Sequence, residues 1–364
     1  MSDYDQEMIE KYQNLIEDDA LTILFDSDLR SLNFIRELKL NELELNECTN
    51  IVPKLESQTI KKLKIINCYI ISIQDFLLEN VEVLAIYNIY DTLESKVLSQ
   101  EISQFLKLKK LILYRWKIDV IPLSKMTGLT SLFLQKCDLH STAALIHLVN
   151  LEELCLDFSK VDFTSIQYLT KLTKLSLESC GPVNLDVLKL LVNLEQLDIS
   201  CNEVDITPLQ YLTKITKLKL ASCKLISLDA LSPLKNLIEL NIQDNNVVYI
   251  SPIKDLTQLS ELLARYNNII DSESIQTHSN LERFDLNDQK LPTQEELIDA
   301  NNLCDINSPI SSLKLMLSLS NNIKSQNNIF KMKMTKCLEI QHKTHQQFIA
   351  GITFLLQQMN ESCQ

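Results

Sequence analysis

Glycine and proline are scarce in this chain of 364 residues, which contains only three glycines and eight prolines. Many enzymes hold phosphate groups or nucleophiles in glycine-rich turns, and the sequence contains no P-loop, G-x-G-x-x-G, G-x-S-x-G or H-E-x-x-H motif. It also lacks any run of about 18 apolar residues, the length that a membrane helix needs. We therefore expect neither an enzyme nor a membrane protein.

Positive charge is also in deficit, because 35 Lys and Arg residues face 48 Asp and Glu residues, for a net charge of −13. This balance favours solubility and makes nucleic acid an unexpected partner. The ten cysteines include no C-x-x-C pair, and the acidic first residues lack the basic start and apolar core of a signal peptide. The expectation is a reduced, cytoplasmic protein without a cofactor.

Leucine, by contrast, is abundant and regularly spaced. The pattern L-x-x-L-x-L-x-x-N-x-L is carried by Leu194, Leu197, Ile199, Asn202 and Val204, and it returns about every 22 residues. With the first residue as position one, twelve units begin at Leu40, Ile60, Val81, Leu108, Leu129, Leu151, Leu172, Leu194, Ile215, Leu237, Leu259 and Leu281. These units are leucine-rich repeats.

Each unit predicts one strand and one return segment, and the units must stack because none can bury its apolar side alone. Positions four and six point into the core, while positions three, five and seven point outward. The return segment is too short for an average helix of about 11 residues, so short 3₁₀ or extended segments are expected on the convex side. The predicted fold is an α/β solenoid, a leucine-rich repeat horseshoe or arc with a parallel concave sheet and helical caps.

The repeats divide the chain into three predicted parts. Residues 1–39 form an N-terminal helical cap and half-repeat, with an amphipathic helix over residues 3–20. Residues 40–302 hold the repeat array, and residues 303–364 form a helical tail. The tail has apolar residues at alternating spacings of four and three between Leu338 and Met359.

The tail leaves two alternatives open, docking on the solenoid or a coiled-coil dimer. His342 and His345 lie in its apolar seam and weaken the dimer, so a monomer is expected. The same two histidines, with Cys337 nearby, could coordinate a metal ion. A metal site normally needs three or four fixed ligands, and none is predicted.

The units resemble the short leucine-rich repeats of internalins and of the leucine-rich regulatory subunit of type-one protein phosphatase. The resemblance rests on Leu-Glu-Gln-Leu-Asp-Ile-Ser-Cys-Asn at 194–202 and on Asp-Ile-Thr-Pro-Leu-Gln-Tyr-Leu-Thr-Lys at 205–214. It covers residues 40–302 and implies a scaffold that binds protein. The matched residues are core and turn positions, so the resemblance implies no particular partner.

Position nine in such repeats is usually an asparagine that satisfies backbone groups where the chain leaves the strand. Here Asn202, Asn245 and Asn267 occupy it, and Trp116 stands at the same position, where packing is its expected role. Elsewhere position nine is a cysteine, namely Cys48, Cys68, Cys137, Cys180 and Cys223. We interpret these as buried free thiols, although a disulfide between Cys48 and Cys68 is geometrically conceivable.

The outward positions of repeats two to five carry basic and aromatic residues and no acidic one. Aromatic residues and Arg are favoured at protein-binding hot spots, although exposed polar groups and single aromatics are also ordinary on any surface. With one residue of repeat six, the predicted partner-binding set, here called the basic-aromatic strip, is Lys62, Lys64, Tyr87, Lys110, Tyr114, Arg115, Phe133, Lys136 and Phe158. Leu263 and Tyr266 form a second, smaller apolar spot.

The leading functional hypothesis is a non-enzymatic scaffold that binds a protein partner with an acidic or mixed surface on the concave face. The alternative is a regulatory subunit of a protein phosphatase or a similar enzyme, which rests on the repeat class alone. A third hypothesis, nucleic-acid binding through the lysines, is disfavoured by the negative net charge of the chain.

Overall fold

The computed structural model describes most of the chain up to residue 289. The described residues are 3–24, 26, 31–48, 55–68, 76–89, 99–139, 141–159, 162–275 and 278–289. The chain divides into two compact units, residues 1–217 and 218–364. The predictions for the tail, including its apolar seam and its histidines, lie outside the described residues.

The first unit opens with helix α1, Asp3–Gln13, and strand β1, Ala20–Leu24. The helix is shorter than the predicted 3–20, because the chain leaves the helix at Gln13 and uses the remaining residues for a turn, in which Asp18 and Asp19 adopt left-handed backbone conformations that lead into β1. This strand pairs in parallel with the strand of the first predicted repeat. The sheet therefore begins one strand before residue 40.

Helix α1 covers the start of the sheet through its buried face. The ring of Tyr12 stacks on that of Phe34 with 5.7 Å between centroids, and its hydroxyl donates a hydrogen bond to buried Asp26. Lys11 forms an ion pair with the same carboxylate at 2.6 Å. Burial, together with the bond to Asp26, raises the pKa of Tyr12, so the hydroxyl keeps its proton and remains a donor.

The strands of the first unit that follow β1 are short and recur with the repeats. They are β2 Glu42–Asn46, β3 Leu55–Glu56, β4 Lys62–Ile66, β5 Phe76–Leu77, β6 Val83–Tyr87, β7 Lys110–Tyr114, β8 Lys117–Ile118, β9 Ser131–Gln135, β10 Asp138–Leu139, β11 Glu153–Cys155, β12 Lys174–Ser176 and β13 Gln196–Asp198. The main sheet of this unit has the order β1-β2-β4-β6-β7-β9-β11-β12-β13, and its pairs are parallel. Two further pairs, β3 with β5 and β8 with β10, are also parallel.

The second unit repeats the arrangement. Strand β14, Lys217–Lys219, spans the boundary between the units, and the strands that follow are β15 Glu239–Asn241, β16 Glu261–Leu263 and β17 Arg283–Asp285. Strands β15, β16 and β17 pair in parallel and in chain order. Parallel neighbours with one return segment per strand are the predicted solenoid topology.

The return segments are 3₁₀ turns, which confirms the prediction made from the length of the unit. In the first unit they are Asn33–Glu37, Ile121–Lys125, Ala143–His147, Thr164–Tyr168, Leu185–Leu188 and Thr207–Tyr211, and a short helix, α2, spans Ser99–Ile102. In the second unit they are Asp229–Leu231, Ser251–Ile253 and Ser272–Ile275. Several of these segments are preceded by an aspartate whose side chain accepts a hydrogen bond from a backbone amide at the start of the segment. Asp162 accepts from the amide of Thr164, and Asp205 accepts from the amide of Thr207, both at 2.9 Å.

The core of each unit is made by the predicted apolar positions. The first residue of every repeat from Leu40 to Leu259 is at most 1% exposed. The last described repeat differs, because Leu281 is only half-buried and Phe284 is 43% exposed. Burial on this scale, repeated in every earlier unit, is the main driving force of the fold.

A hydrogen bond from position nine joins nine of the described repeats to the repeat before them, although Ile89 of repeat three has no polar side chain to donate one. In each case the side chain donates to the backbone carbonyl of position six in the repeat before it. In the first unit Cys48, Trp116, Cys137, Ser159 and Cys180 reach that carbonyl at 3.1 to 3.6 Å, and Asn202 reaches it at 2.8 Å. In the second unit Asn245, Asn267 and Gln289 all reach it at 2.8 Å.

Asparagine does more at this position than cysteine. The Asn202 amide also donates to Ile199 and Ser200, and its oxygen accepts from the amides of Cys180 and Gly181 at 2.8 and 2.9 Å. A thiol is a weak donor and acceptor. The cysteines at position nine add only a long contact with the carbonyl of position seven in their own repeat, as Cys137 does with Gln135 and Cys180 with Glu178, both at 3.6 Å. Burial raises the pKa of Cys137 to about 12 and of Cys180 to about 11, which keeps these thiols protonated and able to donate. Cys48 and Cys68 are likewise free thiols.

We expect Asn202→Ala to lower the free energy of unfolding by about 3 kcal/mol, because it leaves several buried backbone groups unpaired. Cys180→Ala, in the preceding repeat, should lower the free energy of unfolding by only about 1 kcal/mol, because it removes one weak S–H donor and little side-chain volume. Urea unfolding followed by circular dichroism compares the two variants. Equal losses would show that the asparagine has no special role in joining the repeats.

Candidate functional site

The basic-aromatic strip lies on one face of the main sheet of the first unit. Strands β4, β6, β7 and β9 pair in register, so residues at the same repeat position form straight rows across the strands. The row at position seven runs from Ile66 through Tyr87 and Tyr114 to Gln135. Because positions four and six are buried in the core, these rows face solvent together.

Eight of the nine predicted residues take part in ring contacts, six of them in one connected cluster and the other two, Lys110 and Phe133, as a separate pair. The rings of Tyr87 and Tyr114 lie 6.4 Å apart, and the Lys64 ammonium is 6.0 Å from the centroid of Tyr87. The Lys136 ammonium lies between two rings, 5.5 Å from Tyr114 and 4.9 Å from Phe158.

The other two ring contacts of the strip also join a basic side chain to an aromatic ring. The Lys110 ammonium is 4.7 Å from the Phe133 centroid, and the Arg115 guanidinium is 5.9 Å from that of Tyr114. One nitrogen of Arg115 also donates to the carbonyl of Ile89 at 2.5 Å. Cations above ring faces are attracted by the negative π-surface, which holds both groups in place.

Two of the five basic residues are engaged by carboxylates of the preceding strand. Lys62 pairs with Glu42 and Lys64 with Glu44, each at 3.0 Å. Lys62 is thus the one residue of the strip held by an ion pair and by none of these ring contacts. Sequence reasoning missed both pairs because it considered repeats two to five alone, although β2 and β4 are in register and bring these residues together.

The opposite edge of the strip is also ion-paired. Glu153 accepts from Lys174 at 2.6 Å and from Ser131 at 3.1 Å. The bond from Lys174 holds the pKa of Glu153 below its usual value. In contrast, neither Lys110 nor Lys136 forms an ion pair within the part of the chain that the structure describes.

A buried carboxylate fixes the strand ends beside Phe158. One oxygen of Asp157 accepts from the Ser176 hydroxyl at 2.6 Å and from the amide of Glu178 at 2.9 Å. The other accepts from Gln135 at 3.2 Å and from the Cys155 thiol at 3.0 Å. All the acceptor capacity of this carboxylate is used inside the protein.

Two apolar residues in the middle of the strip were not singled out from the sequence. Val83 and Ala85 occupy positions three and five of β6, next to Lys110 and Ile112 of β7. Outward positions are usually polar, so apolar residues there were a usable signal. Val83 is half-buried and extends the apolar centre of the strip beyond its aromatic rings, whereas Ala85 is 5% exposed and is covered by its neighbours.

Position eight, where the chain leaves each strand, has a left-handed backbone in every described repeat except the third. The residues are Glu47, Asn67, Arg115, Lys136, Phe158, Ser179, Cys201, Ser222, Asp244, Tyr266 and Asp288, with φ between 49° and 60°. Residues other than Gly, Asn and Asp adopt this conformation at a cost of about 1–2 kcal/mol. Phe158 is nevertheless 45% exposed, so neither backbone preference nor core packing explains a phenylalanine there.

The second apolar spot, in the second unit, is smaller and more fully paired. Arg265 lies 5.1 Å from the centroid of Tyr266 and forms an ion pair with Asp288 at 2.6 Å. The charge of Arg265 is thus already neutralised by the carboxylate of Asp288. This spot therefore offers less free bonding capacity than the basic-aromatic strip.

The described residues contain no cluster of three or more His, Cys, Asp or Glu side chains arranged to hold a metal ion. Among the same residues, no helix has the length and apolar character required to cross a membrane. The histidine pair considered for a metal, His342 and His345, lies outside the described residues.

Comparison with solved structures gives the fold. An internalin from Listeria monocytogenes is 22% identical, with a TM-score of 0.60, and the match covers 82% of this chain and 87% of the internalin. A leucine-rich repeat protein of Leptospira interrogans, 22% identical, matches with a TM-score of 0.47 over 76% of this chain and 83% of its own. The Arabidopsis receptor kinase HAESA, solved in complex with the peptide hormone IDA and the co-receptor SERK1, is 22% identical with a TM-score of 0.48, covering 54% of this chain and 37% of its own.

No protein-family model and no curated protein matches the chain. The internalin match and the long parallel sheets confirm a leucine-rich repeat fold with internalin-like repeats. At this level of identity, the likeness describes architecture.

We expect Phe158→Asn to change the free energy of unfolding by less than about 1 kcal/mol, because relief of the left-handed strain offsets the lost contact with Lys136. The same replacement at Phe163, which is 6% exposed, should cost more than about 3 kcal/mol, since it places an amide in the core. Thermal unfolding of both variants makes the comparison. A large loss at position 158 would assign Phe158 a structural role instead.

Proposed function

We propose that this chain is a non-enzymatic scaffold that binds a protein partner on the basic-aromatic strip. The observation that carries the proposal is an apolar centre between two ion-paired edges. Val83 and Ile112 are half-buried on the outward side of the sheet, where Ile112 pairs with Phe133, and Ala85 beside Ile112 is almost fully covered. Protein interfaces have this composition, with an apolar and aromatic centre and a charged border.

The two edges support the same proposal. On one side Glu42 and Glu44 pair with lysines of the strip, and on the other Glu153 pairs with Lys174. Exposed ion pairs of this kind contribute little to stability, about 0–1 kcal/mol each. Their value to an interface is to orient side chains and disfavour partners of the wrong charge.

The strip is held rigid before any partner arrives. Strands in register fix the rows, position nine fixes the spacing between repeats, and Asp157 fixes the strand ends next to Phe158. Binding to such a surface loses less side-chain and backbone entropy than binding to a loop. A rigid face whose basic groups are already held by rings and carboxylates suits selective binding of protein.

A monomer in the cytoplasm, without a nucleic-acid or membrane partner, is part of the proposal. Supporting it, the thiols at position nine act as hydrogen-bond donors to backbone carbonyls in the first unit. That role requires reduced cysteines, which a cytoplasmic location provides.

The second candidate function is a regulatory subunit of a protein phosphatase or a similar enzyme. It rests on the resemblance of the repeat class and uses the same strip as the enzyme-binding face. The discriminating observation is phosphatase activity that co-purifies with the chain from its native cell and is lost with mutation of the strip.

The proposal predicts that Tyr114→Ala with Phe133→Ala weakens binding of the partner retained by the wild-type chain by about tenfold or more, as loss of hot-spot rings does. Both rings are half-buried on the sheet face, and thermal stability should stay close to wild type. The measurement is titration calorimetry of the purified pair.

Tyr168→Ala with Tyr211→Ala is the matched control. Both of these tyrosines are more than half exposed and lie at the ends of 3₁₀ segments. This variant should bind as the wild type does. If the control weakens binding and the strip variant does not, the site is on the 3₁₀ side and the strip is not the contact surface.

A further inference from the structure

We infer that the segment bound by the basic-aromatic strip is acidic, and that it places one carboxylate on Lys110 and another on Lys136 with an apolar side chain between them. This inference rests on the proposed function and names the chemistry of the partner. It follows from how the lysines of the sheet face are paired.

The lysines of this face fall into two groups. Lys62, Lys64 and Lys174 each have a carboxylate oxygen between 2.6 and 3.0 Å from the ammonium nitrogen. Lys110 and Lys136 have none among the described residues, and each stands over an aromatic ring instead. The fold has thus paired the border lysines directly, whereas Lys136 has no such partner within the described part of the chain and the charge of Lys110 reaches Glu153 only at a distance longer than an ion pair.

The neighbouring acids are already committed to other donors. Glu153, which faces Ser131 across the β9–β11 pair, is held by Ser131 and Lys174. Asp157 receives two hydrogen bonds on each oxygen from residues around it. Neither carboxylate has to be displaced for Lys110 or Lys136 to take a carboxylate from outside.

The rings prepare the two ammonium groups for such a contact. An ammonium above a ring face is attracted to the ring on one side and keeps its other side open for an acceptor. The apolar rings also exclude water, and an ion pair is stronger where water is scarce. The rings therefore hold the two basic groups in place before binding, with Lys110 half-buried and Lys136 exposed, and a partner that covers them completes the exclusion of water.

The positions of the lysines define the order of groups in the partner. Lys110 is at position three of β7, and Lys136 is at position eight, beyond the end of the adjacent β9. Five residues of strand, roughly 16 Å, separate these positions along the strand direction. The ammonium groups are closer together than these backbone positions, because Lys110 extends over Phe133 at position five and Lys136 extends back to Tyr114 at position seven. The acidic groups of the partner therefore flank an apolar side chain that rests on these two rings.

Selection from a phage-displayed library of random peptides tests the inference on the full chain. We expect the wild-type chain to enrich peptides in which Asp or Glu flanks an aromatic residue or leucine. Lys110→Glu with Lys136→Glu should weaken binding of those peptides by about tenfold or more, as reversal of matched charges does. A fresh selection on the double variant should enrich Lys and Arg at the same places.

Lys125→Glu with Lys254→Glu provides the control, since it makes the same total change of charge at two exposed residues that end 3₁₀ segments. It should leave peptide binding unchanged, whereas an equal effect would reduce the inference to a matter of net charge. Thermal unfolding verifies that the double variant is folded. If it is not, Lys110→Gln with Lys136→Gln replaces it, with the same expected loss of binding.

The remaining outcomes separate the inference from the proposed function. Peptides without acidic enrichment that still need Tyr114 and Phe133 would overturn the inference and leave the scaffold intact. Peptides indifferent to the lysines and to both rings would overturn both. Binding of an oligothymidylate that is lost in the double variant would replace the acidic protein segment with nucleic acid.

Discussion

The structure depends on one recurring hydrogen bond, from the side chain at position nine to the carbonyl of position six in the preceding repeat. Leucines supply most of the burial energy, but apolar contacts have no direction and would tolerate small slips between repeats. A hydrogen bond is directional, and a buried backbone carbonyl left without one is costly. This bond therefore sets the register in which Leu177 of one repeat meets Asn202 of the next.

That register determines the surface as well as the core. When strands pair residue for residue, the outward positions of one repeat stand beside the same positions of the next. Tyr87 meets Tyr114, and Lys62 meets Glu42, although 27 and 20 residues separate them in the chain. A linear sequence with a fixed period is thereby converted into a two-dimensional array of side chains.

Much of this array could be predicted from the sequence, because period and burial are local properties of the repeat. The core positions, the outward strip and the 3₁₀ segments follow from leucine spacing and from the length of the unit. The strand at Ala20–Leu24 was harder to recognise, since a terminal repeat keeps only part of the pattern. Side-chain partners such as Glu44 for Lys64 could not be read from one repeat, because each depends on the residue at the same position in its neighbour.

The backbone at position eight was also beyond sequence reasoning. Asparagine or glycine would have signalled a left-handed residue, whereas Arg115, Lys136 and Phe158 give no such signal. Here tertiary context imposes the conformation on whatever residue is present. Local preference is overridden at the position that displays two of the three exposed side chains of the strip, Lys136 and Phe158.

Residue-for-residue pairing also has an evolutionary consequence. Copying or deleting one whole repeat leaves every other pairing intact and moves two parts of the surface apart or together by one strand width, about 4.8 Å. Distances between recognition groups in this protein can therefore change in fixed increments through duplication of a short stretch of gene. Point mutation then adjusts the chemistry at each step without rebuilding the core.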